Sequence, residues 1–325
     1  MYLFAAIISY LLNAGVYVAD KFLLSKQVHS SIVYAFYVGI WSIGNFVLLI
    51  FAPFVPNWFQ LSLDLLAGLL FLFTLVFWYK ALHQSEATRV VPIVGALTPV
   101  FSFIFSYLFL GATLSLREGI AFIVLIAGGI LISVKRTRIY IFAETIERLK
   151  GIWGNALGGI SVQFRPTRRL LINSTVSAAC FAAYYVFIKY IYGHTDQPFI
   201  GAFVWSRLGS FIGVLAMLLI PEWRRMISST RTSEHRSKAQ LAFFLGVRLA
   251  AAAAFIMLNW AVSLSENVSL INALQGVQYV FLLVLVVLLA HKYPKFMAEE
   301  VGRGVMLQKT LGAVLVGLGL YLLVL

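Results

Sequence analysis

The sequence predicts an all-α polytopic membrane protein, with about ten transmembrane helices arranged as two inverted five-helix repeats. Three observations carry that expectation. The first is composition: 61% of the 325 residues are apolar and 11% charged, against roughly 45 to 50% and 25% in soluble domains. A soluble globular domain and a disordered chain are both excluded by that pair of values. The second is that the apolar residues come in unbroken runs of helical length, not in alternating ten-residue blocks, which selects helices over a barrel. The third is that the chain aligns with itself at an offset of 180 positions.

Ten apolar stretches bounded by charge, Pro or Asn clusters define the spans: Tyr2 to Leu24, Ser31 to Ala52, Leu61 to Leu82, Val90 to Gly111, Gly119 to Val134, Leu171 to Tyr192, Phe199 to Ile220, Leu241 to Leu264, Val268 to Ala290 and Leu311 to Leu325. The fifth and tenth are shorter than a bilayer requires and need their flanks to reach the interface. The first lacks the basic region and small-residue cleavage site of a secretory signal, so it reads as a retained helix. Short connections make consecutive helices antiparallel neighbours. Two connections are longer. Residues 135–170 place Ile139, Phe142, Ile146, Leu149 and Trp153 near helical spacing with charges between them, which fits either an amphipathic surface helix or a solvated basic linker. Glu222 to Gln240 is rich in Ser, Thr and Arg and reads as mobile.

At the 180-residue offset Ala81 meets Ala261, Ser85 meets Ser265, Glu86 meets Glu266, Val100 meets Val280, Phe101 meets Phe281 and Leu108 meets Leu288. The repeated Ser-Glu pair sits at the same helix-to-helix turn in both copies. The chain therefore divides into residues 1–134, a linker 135–170 and residues 171–325. A five-helix unit has an odd number of crossings, so its second copy is inverted in the membrane. Two inverted halves can exchange conformations, which is the basis of alternating access.

Charge reads as orientation. Net charge is +13, from 25 Lys and Arg against 12 Asp and Glu. The odd-numbered connections and adjoining span ends hold 21 of the 25 cations, and the even-numbered ones hold two, Arg117 and Lys189. The positive-inside rule then puts the odd connections in the cytoplasm and both termini outside. A basic balance of this kind in a membrane chain implies a lipid bilayer as partner, and no nucleic acid.

The stretch Ala81, Leu82, Ser85, Glu86, Ala87, then Pro92, Leu97, Thr98, Pro99, Val100, Phe101, then Tyr107, Leu108, Phe109, Leu110, Gly111 and finally Gly128, Gly129, Ile130, Leu131 resembles the repeat unit of EamA-like proteins of the drug/metabolite transporter superfamily. The resemblance covers the first half well and the second half less well. It implies ten helices in two inverted repeats, a central cavity lined by the first four helices of each, and peripheral fifth and tenth helices. It also implies termini inside, the reverse of the charge argument. The sequence departs from the family pattern at Ala112, where an acidic residue is usual, and at Tyr279, where the second repeat loses its Pro.

The remaining two cations are Arg207 and Arg248, about nine and seven residues into the seventh and eighth spans and roughly 10 to 14 Å below opposite surfaces. Ionisable groups at such depth are costly and are functional candidates. Asp20, Asp64, Glu86 and Glu266 all fall near span ends, so the arginines read as a site for a substrate carboxylate or phosphate. The competing reading pairs both with helix carbonyls and neighbouring side chains. Asn272, Gln275, Gln278 and Tyr279 form one polar stripe on the ninth span, aligned with Pro92, Gly95, Thr98 and Pro99 on the fourth. That stripe is either substrate lining or interhelical glue. Asn13, Tyr17, Tyr184 and Trp205 complete the candidate lining. Glycines 128, 129, 312, 317 and 319 mark close helix contact.

Nothing in the sequence signals catalysis or a cofactor: it lacks the zinc, nucleophile-elbow and phosphate-loop motifs. Cys180 is the only cysteine and cannot form an internal disulfide. The expectation is a secondary transporter in a cell membrane, inner or plasma, for a small polar or anionic metabolite, with amino acids first. A flippase for a lipid-linked phosphate and a non-transporting assembly subunit are the alternatives, and a second copy of the chain is a candidate partner.

Overall fold

The computed structural model describes residues 1–27, 30–84, 87–133, 138–139, 163–164, 168–229, 238–292 and 303–324. Helix α1 spans Tyr2–Gln27, α2 Ser31–Trp41, α3 Trp58–Gln84, α4 Ala87–Leu110 and α5 Leu116–Ser133. After the linker come α6 Arg168–His194, α7 Phe199–Met217, α8 Pro221–Ser229, α9 Lys238–Leu264, α10 Val268–Ala273, α11 Gln275–Lys292 and α12 Arg303–Val324. Residues 138–139 and 163–164 pair as a two-residue parallel ladder. The surface helix expected around Phe142 to Trp153 lies outside the described residues.

Among the described residues six helical segments are long and apolar enough to cross a membrane: Ser31–Ile50, Trp58–Ala81, Ile93–Leu110, Arg168–His194, Phe199–Met217 and Leu245–Leu264. Tyr2–Val16, Val268–Leu282 and Gln308–Val324 are apolar but shorter. Large apolar side chains, among them Phe4, Trp58, Phe73, Phe109, Ile123, Leu249 and Tyr321, are exposed on many of the helices. In water such a surface would aggregate; against acyl chains it costs nothing. The chain is a multi-pass membrane protein.

Local sequence sets several helix ends. Asn57 and Gln60 form a reciprocal cap on α3, each backbone N–H donating to the other's side-chain oxygen at 2.9 Å. Ser115 and Glu118 do the same for α5. Gly111, at a φ of 62°, terminates α4 in the left-handed region, and the Ala112 amide donates back to the Ser106 carbonyl.

The structure corrects three expectations. The second span leaves α-helical geometry at Ser42 and continues as a 3-10 segment to Ile50. Its Ser42 hydroxyl donates to the Gly39 and Arg207 carbonyls, so a tertiary contact holds the point of change. The ninth span is broken at Leu274, between α10 and α11, within the polar stripe. The connection expected to be mobile opens with an ordered helix, α8, because Trp223 and Ile227 at i and i+4 pack beside Ile32, Ala35 and Phe36.

Packing joins the two halves throughout. Helix α1 lies against α9 and α11, and α6 lies against α3 and α4. Helix α4 meets α10, α5 meets α12, and α3 meets α7. The last pair runs parallel, with Leu65 beside Gly209 and Leu72 beside Gly213. It is close enough that a Cβ on Gly68 would overlap the Ser206 carbonyl and one on Gly209 the Leu65 carbonyl. Gly128 and Gly312 bring α5 and α12 together in the same way, whereas Gly317 faces open space.

Candidate functional site

Arg207, on α7, is 2% exposed. Its guanidinium carbon lies 4.4 Å from the ring centre of Phe71, 4.8 Å from Phe255, 5.4 Å from Phe203 and 5.5 Å from Tyr184. The four rings come from α3, α9, α7 and α6, so both halves of the chain build the box. Aromatic faces are partly negative, which offsets some of the cost of desolvating the cation. They do not replace hydrogen bonds. Arg207 Nη2 donates to the Tyr184 hydroxyl at 2.8 Å and to Ser206 Oγ at 3.3 Å, and its Nε is buried without a partner.

From Tyr184 the polarity runs on in one direction. Its hydroxyl donates to Asn259 Oδ1 at 2.9 Å, and Asn259 Nδ2 donates to the Phe255 carbonyl at 2.9 Å. This chain fixes the tyrosine oxygen as an acceptor aimed at the arginine. No carboxylate enters it.

Arg248 is not in the same place. It is half-buried on α9, seven residues before Phe255 and hence about 10 Å along the helix axis. Its guanidinium carbon lies 5.8 Å from the ring centre of Tyr34, which meets Tyr79 edge-on at 4.7 Å. Positions 248, 255 and 259 share one face of α9, at i, i+7 and i+11. They string the two arginine sites along a single seam.

Other expected lining residues lie elsewhere. Trp205 points away from Arg207, donating from Nε1 to the Phe54 carbonyl at 2.9 Å and meeting Phe46 edge-on. Asn272 donates to Ser102 Oγ at 2.6 Å, tying α10 to α4. Thr98 bonds back to the Val94 carbonyl of its own helix. Tyr279 packs its hydroxyl against Gly95, the residue of the aligned stripe that leaves room for it, and Gln278 is buried nearby on α11 while Gln275 is half-buried at the helix break. Asn13 donates to Ser9, whose hydroxyl donates to Ala254. The side chain of Tyr17 lies outside the described residues. Together these groups pin α1, α4, α9 and α10 to one another.

Asp64, near the start of α3 as the sequence placed it, is 0% exposed, and both carboxyl oxygens are buried without a hydrogen-bond partner. Sequence distance from the helix start measured its height and not its cover, which the α6–α7 connection supplies.

A wider opening lies at the ends of α4, α6 and α9. It is a pocket of about 370 Å³ lined by Leu110, Ala112, Thr113, Lys189, Gly193, His194, Glu266 and Asn267. Lys189 Nζ donates to the Ser263 carbonyl at 3.1 Å.

The family model of the EamA-like transporter family matches residues 1–134. This part of the chain is similar to EamA-like transporters. No curated protein matches the chain. A solved crystal structure of a protein superposes with a TM-score of 0.62 at 14% identity, covering 98% of this chain and 93% of its own. At that identity the likeness speaks for the fold alone. Phe71 and Asp64 fall within the matched residues; Tyr184, Arg207, Phe255 and Asn259 lie beyond them. Sequence reasoning missed Phe71, Phe203, Phe255 and Asn259. The i+7 and i+11 spacing from Arg248 was the available signal for the last two.

Proposed function

We propose that this protein is a secondary transporter that moves a small polar or anionic metabolite, with amino acids the first class, across a cell membrane by alternating access. The observation that carries the reading is Arg207: a guanidinium buried where both halves meet, boxed by aromatic rings, held by neutral partners and retaining an unpaired Nε. A buried cation without a carboxylate in contact is an incomplete site, and a substrate carboxylate completes it.

Two further observations support the reading. Helix α1 against α9 and α11 has its counterpart in α6 against α3 and α4, the pairing expected of two inverted five-helix repeats and ten spans. Lys189 and Glu266 line the open pocket together, placing one positive and one negative side chain where a zwitterion would enter.

The test is uptake of a labelled amino-acid panel by proteoliposomes. Wild-type protein takes up at least one member, and Arg207→Gln loses that uptake while remaining folded. Equal uptake of every substrate by the variant would end the anion-site reading. Lipid-phosphate scrambling in place of soluble uptake would move the function to the flippase class.

A further inference from the structure

We propose that Asp64, with Gln197 and Tyr192, forms a proton-binding site that couples transport to a proton gradient. The inference rests on the transporter reading for its second half only; that Asp64 holds a proton stands on the local geometry.

Asp64 lies on α3, 0% exposed, and Gln197, in the α6–α7 connection, is 8% exposed. The Gln197 amide faces the Asp64 carboxyl without completing a hydrogen bond, so Oδ1, Oδ2, Nε2 and Oε1 are all buried and unpartnered. The Tyr192 hydroxyl, within electrostatic reach of both Asp64 and Arg207, is unpartnered too. Four unsatisfied atoms in two facing side chains are a heavy cost for an interior. One proton removes it. A protonated Asp64 donates from one oxygen to Gln197 Oε1 and accepts from Gln197 Nε2 at the other, a closed acid–amide pair that an ionised carboxylate cannot form because it has no donor. The step balances as carboxylate plus hydronium giving carboxylic acid plus water.

The surroundings favour this occupant. Among the described residues, Tyr192 of α6 is within electrostatic reach of Asp64, and also of Tyr184 of α6 and Arg207 of α7. Tyr34 of α2 faces Tyr79, four turns further along α3. Arg207 is the one cation of the group and is held by Tyr184 and Ser206. The connection that carries Gln197 is anchored to α3 by Gln60, whose Nε2 donates to the Thr195 carbonyl at 2.7 Å. Movement of that connection against α3 would open Asp64 to water on this side, and closure would carry the proton inward.

Infrared spectroscopy of the purified chain supplies the first arm. Near neutral pH the wild type shows the carbonyl stretch of a protonated carboxyl, and Asp64→Asn, isosteric with the acid, lacks it. Absence of that band from the wild type, its persistence in the variant, or its loss on replacing potassium by sodium would each overturn the proton site. The second arm uses proteoliposomes and an amino acid that the wild type takes up. An imposed gradient of one pH unit sustains up to about tenfold accumulation per proton, which Asp64→Asn reduces to about onefold while keeping substrate exchange. Unchanged gradient-driven accumulation in the variant would overturn the coupling. If no amino acid is taken up by the wild type, the transport reading falls, and the infrared arm still decides the protonation of Asp64.

Discussion

The two intramembrane arginines look alike in the sequence and differ completely in the fold. Arg207 sits among four rings from four helices, 2% exposed, with a hydrogen-bonded chain running from it through Tyr184 to Asn259. Arg248 is half-buried beside the Tyr34 ring, about two turns away along α9. Depth along a helix is a property of one element. Enclosure is a property of how many elements converge. Arg207 lies beside Gly209 and Ser210 at the tightest approach of α7 to α3, and that approach delivers Phe71 to it.

If enclosure marks the substrate site, Arg207→Gln lowers uptake on the order of a hundredfold, as expected for losing a charge-assisted contact of about 3 kcal/mol. Arg248→Gln stays within about threefold. The pair of uptake rates in one liposome preparation checks both, and equal losses would erase the distinction between the two sites.

Close approach of α3 and α7 is the cause of the enclosure, so Gly209→Val tests it from the packing side. A side chain there overlaps the Leu65 backbone, and overpacking costs about 1 to 3 kcal/mol or more. Thermal unfolding in detergent shows a lowered midpoint for this variant and an unchanged one for Gly317→Val, which meets open space.

A smaller loss than that of Arg207→Gln is expected at Tyr184→Phe, which keeps the ring of the box and removes the hydroxyl. Arg207 Nη2 keeps only Ser206, and Asn259 Oδ1 loses its donor, a cost of about 1 to 3 kcal/mol. Uptake falls roughly tenfold, and the loss appears in substrate affinity, since the guanidinium is no longer aimed.

Much of this was legible in the sequence because apolar run length is a local property. Each of the apolar stretches is helical, and the glycines at 128 and 312 do bring α5 against α12. Arg207 could be singled out because a charge deep inside an apolar run is conspicuous, and Tyr184 as an aromatic with a polar tip in the preceding span. Trp205 was singled out for its nearness to Arg207, yet two residues away it faces the opposite way and bonds to Phe54. A helix turns about 100° per residue, so a separation of two puts side chains on opposite faces.

The sequence by itself determined that this chain lies in a membrane, which segments are helical and where its cations fall. Those follow from hydration cost, which each residue incurs whatever its neighbours. Only the tertiary structure decided that Arg207 is enclosed, that Arg248 is not, that Asp64 is covered by Gln197, and that the second and ninth spans change geometry at Ser42 and Leu274. Each depends on which helices meet, and contacts across more than a hundred residues of chain leave no trace in the local pattern.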